Sequence, residues 1–189
     1  MATPNQNDLL RLPCRSAYLA AEGFEAQAAA EIPEILLQRD RLFISAAPPQ
    51  TSYWSQNVWR DPEIVGFDSI GQAAKYLSTK QRNWAGYSFD HHRRTNLIQE
   101  KLPFYHTKPL TFPATLPKQP MGSFCLLDKN VMIAAPSCSS PFPNGEVRFV
   151  ENRDDPPSRA YLKLWEALTQ FNSQPKPGEF CLDLGASPF

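Results

Sequence analysis

The chain has 189 residues, 42% hydrophobic and 20% charged, which excludes a disordered polyelectrolyte and suits one good core or a small domain plus part of another. Its 19 Lys/Arg equal its 19 Asp/Glu, so at zero formal net charge the whole chain is no electrostatic sponge for nucleic acid. No apolar run approaches the roughly 20 residues of a membrane helix, the N-terminus lacks the basic-then-apolar pattern of a signal peptide, and Cys14, Cys125, Cys138 and Cys181 form no CxxC pair. A cytoplasmic protein with reduced thiols, no metal site and no membrane partner is the expectation.

Residues 1–13 read as a loose polar lead. Ser16–Ala21 reads as a buried strand, and Gly23-Phe24-Glu25 opens a helix that strong helix formers carry to Ile32, with Pro33 at its end. Ile35–Ser45 reads as one strand bent around Arg39-Asp40, so the opening has the strand–helix–strand order of a small α+β unit. The segment between Trp54 and Trp59 carries no decisive pattern. Ser69 caps a predicted helix over 70–79 that places Ile70, Ala73, Ala74 and Leu77 on one face.

Trp84–Phe89 follows as a strand, and Asp90 is the candidate N-cap of a helix that runs to Leu102 and stops at Pro103. Five prolines make 103–120 an extended linker. Ser123–Leu127 and Val131–Ala135, joined by Asp128-Lys129-Asn130, form a predicted hairpin. A Cys/Ser/Pro-rich loop covers 136–144, and Glu146–Val150 alternates like a strand. The charged, proline-closed stretch 153–157 marks a domain boundary. Pro157–Phe171 is an amphipathic helix with Tyr161, Leu164, Trp165 and Leu168 on its apolar stripe, and Phe180–Leu184 is a buried strand.

Charge is unevenly distributed. From Lys75 to Pro120 eight Lys/Arg stand against Asp90 and Glu100, a net of +6 that leaves −6 for the remainder. Lys80, Arg82, Arg93 and Arg94 interleave there with Trp84, Tyr87, His91, His92 and Tyr105. Cations neutralise phosphates and aromatic faces stack on unpaired bases, so this segment is the RNA-contact candidate. Its plainer alternative is a core built on Trp84 and Tyr87 beside a solvated cationic helix. Adjacent histidines on a helix point about 100° apart, so His91 and His92 do not converge on a metal ion.

Two motifs near the C-terminus belong together. Ser158-Arg159-Ala160, followed by Lys163-Leu164, lies some 20 residues before Asp183-Leu184-Gly185-Ala186-Ser187-Pro188. An apolar strand ending in an acid and a glycine turn delivers backbone N–H groups to a polar ligand. In this order and spacing the pair resembles the opening of FtsJ-like, S-adenosylmethionine-dependent RNA ribose 2′-O-methyltransferases, the branch that modifies large-subunit ribosomal RNA. Gly23-Phe24-Glu25, Ala29-Ala30-Glu31-Ile32 and Ser140-Pro141-Phe142 extend the resemblance to most of the chain.

The resemblance implies a fold, a chemistry and a site. The fold is an α+β, THUMP-like, RNA-engaging domain over 1–152, then the first helix and strand of a Rossmann-like α/β methyltransferase domain over 153–189. Lys163 corresponds to the first lysine of the family's Lys-Asp-Lys-Glu tetrad, which deprotonates the ribose 2′-hydroxyl. Asp183, Gly185, Ala186 and Pro188 correspond to the S-adenosylmethionine turn, and Arg159, one helical turn before Lys163, joins the RNA contacts. Phe189 stands where the family has a glycine. The chain is therefore expected to hold only the beginning of the catalytic domain, to be inactive by itself, and to self-associate through an apolar patch at that end. The alternative is a module that binds RNA or a partner protein without catalysis.

Overall fold

The structure is a computed structural model that describes residues 4–104, 108–152, 154 and 158–182. The chain divides into two units, Met1–Thr107 with Lys118–Glu146, and Lys108–Pro117 with Val147–Phe189. Among the described residues it is a mixed α+β fold with two sheets and five α-helices.

The first unit opens with helix α1 (Gln6–Leu10), where the sequence reads as a loose lead. A reciprocal capping box holds it: the Asn5 side chain accepts from Asp8 N at 3.1 Å, and the Asp8 carboxylate accepts from Asn5 N at 3.2 Å. Leu9 buries itself completely and anchors the short helix. Strand β1 (Ser16–Ala20) and helix α2 (Glu25–Glu31) follow as expected.

The expected bent strand is a hairpin, β2 (Ile35–Arg39) and β3 (Leu42–Ser45), because Asp40 turns the chain at φ 51°. The unassigned Trp54–Trp59 segment is strand β4 (Ser55–Arg60). Then come β5 (Glu63–Gly66), helix α3 (Ile70–Lys80), β6 (Trp84–Tyr87), helix α4 (His92–Gln99), β7 (Gly122–Asp128), β8 (Val131–Ala135) and β9 (Ser137–Cys138). Ser69 caps α3 as expected, its hydroxyl accepting from Gln72 N at 3.2 Å. Asp90 does not cap α4. The N-cap position belongs to His91 at φ 52°, and the helix ends at Gln99 instead of Leu102.

These strands form two sheets. One has the order β2-β3-β1-β4-β9 and is antiparallel throughout; the other, β5-β8-β7-β6, is antiparallel except for the parallel β6–β7 pair. The two sheets share a core in which Ala17, Leu19, Ile44 and Trp59 meet Cys125, Leu127, Ile133 and Ala135. On the far side of the first sheet, Tyr18, Phe43 and Val58 pack with Ala28 and Ile32 of the α2 region. On the far side of the second, Phe124, Leu126 and Met132 pack with Leu77 of α3 and Ile98 of α4. Successive side chains of β1 and β7 thus alternate between two apolar layers, which is why both strands read as unbroken apolar runs.

The second unit is built around helix α5 (Tyr161–Gln170), shorter than the expected Pro157–Phe171. Its Trp165 stacks on Phe112 at 4.7 Å and meets Phe149 and Tyr161 edge-on. Leu110 bridges Phe149, so part of the proline-rich linker is paired, while the expected strand over 146–150 reduces to that single bridge. Leu164, placed on the buried stripe by its spacing, is 59% exposed, because the aromatic cluster lies on the Tyr161–Trp165 side. Phe180, Cys181 and Leu182 form no strand and stand in solvent, contrary to the expected buried strand. No sheet of the Rossmann kind is present among the described residues of this unit.

Candidate nucleic-acid interface

The basic residues read from the sequence do not act alike. Lys80 closes α3, where a cation suits the helix dipole, and its ammonium sits 2.7 Å from a Glu63 carboxylate oxygen. Tyr76 donates its hydroxyl to the same carboxylate at 2.5 Å. The Lys80 and Tyr76 hydrogen bonds hold the Glu63 carboxyl below its ordinary range. Lys80 thus ties α3 to β5. Arg94 is also engaged: its Nη2 donates to Asn130 Oδ1 at 2.9 Å, and its guanidinium lies 5.3 Å from the centre of the Phe67 ring. That pins α4 to the β7–β8 turn.

Arg82, in the α3–β6 connection, and Arg93, in the first turn of α4, are exposed and have no ion-pair or hydrogen-bond partner among the described residues. Of the four basic candidates Lys80, Arg82, Arg93 and Arg94, these two are the free cations. The interleaved aromatics are core: Trp84 is 2% exposed and donates Nε1 to the carbonyls of Leu77 and Gln81, and Tyr87 is buried with its hydroxyl on the Asp40 carboxylate. They offer no stacking face. His91 lies 3.9 Å from Asp90 and 4.0 Å from Asp128, and His92 Nδ1 meets Ser88 Oγ at 2.7 Å. Among the described residues, no group of three or more His, Cys, Asp or Glu side chains is arranged to hold a metal ion. Tyr105 lies outside the described residues.

In the second unit, Arg159 and Lys163 are both exposed. Arg159 Nη2 meets Glu151 Oε1 at 2.5 Å, whereas Lys163, on the solvent side of α5, has no partner among the described residues. Asp183, Gly185, Ala186 and Pro188 lie outside the described residues, so the geometry joining Lys163 to Asp183 lies outside them too.

Two concave features of the first unit escaped the sequence reading. A cleft of about 440 Å³ runs along the outer edge of β6, lined by Trp84, Gly86, Asn96, Gln99, Phe104 and Asn144. There the Gln99 carboxamide accepts from Gly86 N at 2.9 Å and donates to the Trp84 carbonyl at 3.1 Å, while Asn144 donates to the Gly86 carbonyl at 3.4 Å. The second cleft, of about 340 Å³, lies beside β4 and is lined by hydroxyls, the Gln50 amide and Arg60. Tyr53-Trp54, two aromatics in a polar loop, is the one sequence signal that points toward it.

The buried thiols are poor nucleophile candidates. Burial pushes Cys138 up to about 11 and raises Cys125 further, so both stay protonated near neutral pH. No protein-family model, curated protein or solved structure matches the chain.

Proposed function

We propose that the chain is the RNA-engaging region of an FtsJ-like RNA ribose 2′-O-methyltransferase, carrying the first elements of the catalytic domain. The observation that carries this reading is the pairing of Ser158-Arg159-Ala160…Lys163-Leu164 with Asp183-Leu184-Gly185-Ala186…Pro188 at the family's order and spacing. The exposure of Lys163 on α5, with the Arg159 cation one helical turn away, supports it. In the first unit, unpaired Arg82 and Arg93 supply the phosphate contacts. With Phe189 in place of the family glycine, S-adenosylmethionine binding by this chain is expected to be absent.

The test is fluorescence anisotropy with a labelled ribosomal RNA hairpin across a salt series. Arg82→Ala with Arg93→Ala is expected to flatten the log–log salt slope by about 2, since each phosphate contact contributes nearly one. An unchanged affinity and slope would refute the interface. Isothermal titration with S-adenosylmethionine probes the other half: a stoichiometric micromolar site would show that the cofactor turn is complete after all. RNA binding that does not depend on any methyltransferase partner domain favours the second reading, a non-catalytic RNA module.

A further inference from the structure

The loop joining β3 to β4, residues 46–54, is held in place by one buried-side anchor and several backbone ties. The Glu31 carboxylate accepts from Ser52 Oγ at 2.8 Å, Tyr53 N at 2.8 Å and Trp54 N at 3.3 Å. Gln50 N donates to the Tyr18 hydroxyl at 3.0 Å, and Ala21 N donates to the Trp54 carbonyl at 2.8 Å. The Glu31 charge is thus spread over three donors within the loop. What the loop presents is aromatic: Trp54 stacks on Phe24 at 4.8 Å and 19°, and Tyr53 beside it is 86% exposed. Single exposed apolar residues are ordinary, but two loop aromatics backed by Phe24 at the start of α2 form a platform.

The same loop lines the second cleft. Its polar lining is Gln50, Thr51, Ser52, Ser55, Ser139 and Arg60. The Gln50 carboxamide nitrogen already donates to the Glu31 carbonyl, Ser52 Oγ is bonded to Glu31 and Ser55, and Ser139 Oγ is bonded to Asn57 and Val58 N, which among the described residues leaves the Thr51 hydroxyl and the Gln50 carboxamide oxygen open. Arg60 has no hydrogen-bond or ion-pair partner among the described residues. Ser55 and Arg60 lie five residue steps apart along β4, a span of about 16 Å at about 3.3 Å per residue. The cleft runs beside that strand with a mostly polar lining broken by Pro49 and Val58; Arg60 is part of it, and Tyr53 and Trp54 follow directly on its Ser52 wall.

We infer that the outer face of β4 binds a short single-stranded RNA segment, with unstacked bases on Tyr53 and Trp54 and a backbone phosphate on Arg60. This extends the RNA reading above and rests on it, at a surface separate from Arg82 and Arg93. A pinned loop loses little freedom when the ligand arrives. The guanidinium fork matches a phosphate bidentately, and the Thr51 hydroxyl and Gln50 carboxamide oxygen are partners for ribose 2′-hydroxyls.

The experiment titrates the full chain with fluorescein-labelled oligoadenylate and oligouridylate ten-mers. Trp54 is the exposed indole of the first unit, whereas Trp59 and Trp84 are buried, so quenching that disappears in Trp54→Phe reports stacking at the platform. Tyr53→Ala is expected to weaken ten-mer binding about tenfold, and Arg60→Gln to reduce the salt slope by about 1. Both positions are surface-exposed, so near-ultraviolet circular dichroism should show an unchanged fold. Wild-type affinity in both variants, with binding lost only in Arg82→Ala/Arg93→Ala, overturns this site and leaves the RNA reading standing. Failure of the wild-type chain to bind either the ten-mers or the structured hairpin overturns both.

Discussion

Replacing Arg94 by alanine is expected to destabilise the first unit, because this cation is a tie between elements. Its Nη2–Asn130 hydrogen bond is charge-assisted, a class that contributes about 1.5–3 kcal/mol. Its position over Phe67 adds about 0.5–1 kcal/mol at a half-buried site. Its Nε is buried without an acceptor, which offsets about 1 kcal/mol of that gain. The net loss is about 2 kcal/mol, or about 4–8 °C in Tm for a chain of this size. Thermal unfolding followed by near-ultraviolet circular dichroism measures it, with Arg93→Ala as the control, expected to stay within about 0.5 kcal/mol of wild type. A double-mutant cycle with Asn130→Ala should return a coupling of about 1 kcal/mol or more. If Arg94→Ala melts like wild type and instead loses RNA affinity, the division between structural and phosphate-facing cations drawn here is wrong.

Two further outcomes follow from local geometry. Gly145 sits at φ 82°, and a Cβ there would lie 2.1 Å from the Gln56 carbonyl oxygen on β4, so Gly145→Ala is expected to cost at least about 2 kcal/mol in chemical denaturation; a cost under about 0.5 kcal/mol would contradict the close approach. Burial, and then its hydrogen bond to Asp40, push Tyr87 up to about 12 from an ordinary 10.0. A raised acid favours the folded state while it is protonated, so this contribution is whole below pH 10 and is lost as pH rises through about 12. Comparing the alkaline stability profiles of wild type and Tyr87→Phe tests it: the variant should lack that decline, and identical profiles would refute the assignment.

What the sequence made legible was what neighbouring residues decide. β1, α2, α3 and the β7–β8 hairpin each carry their own signal: an apolar run, a block of helix formers, Ser69, or the Asp128-Lys129-Asn130 turn. β4 was hidden by Asn57, a polar residue at a fully buried position. Its amide is satisfied by Ser123, Ser139 and Ser140, partners 66 to 83 residues away that no local window contains. α1 is too short for periodicity and depends on the tertiary burial of Leu9. In the candidate interface, the neighbours Arg93 and Arg94 look equivalent in sequence. Their helical offset sends one outward and the other toward Asn130 and Phe67, and only the packed neighbours decide which. Phe180–Leu182 has a strand's composition, but strand formation requires a pairing neighbour, and none stands beside it among the described residues.

The carboxamides along β6 have a consequence for aggregation. A terminal strand with free N–H and C=O groups is a template on which another chain can grow a ladder, the first step toward fibrils or exchanged strands. Gln99 and Asn144 occupy those groups on Trp84 and Gly86 from within the same molecule, imitating a missing fifth strand without extending the sheet. In the folded molecule those edge groups are thereby occupied and no longer offered to a second chain.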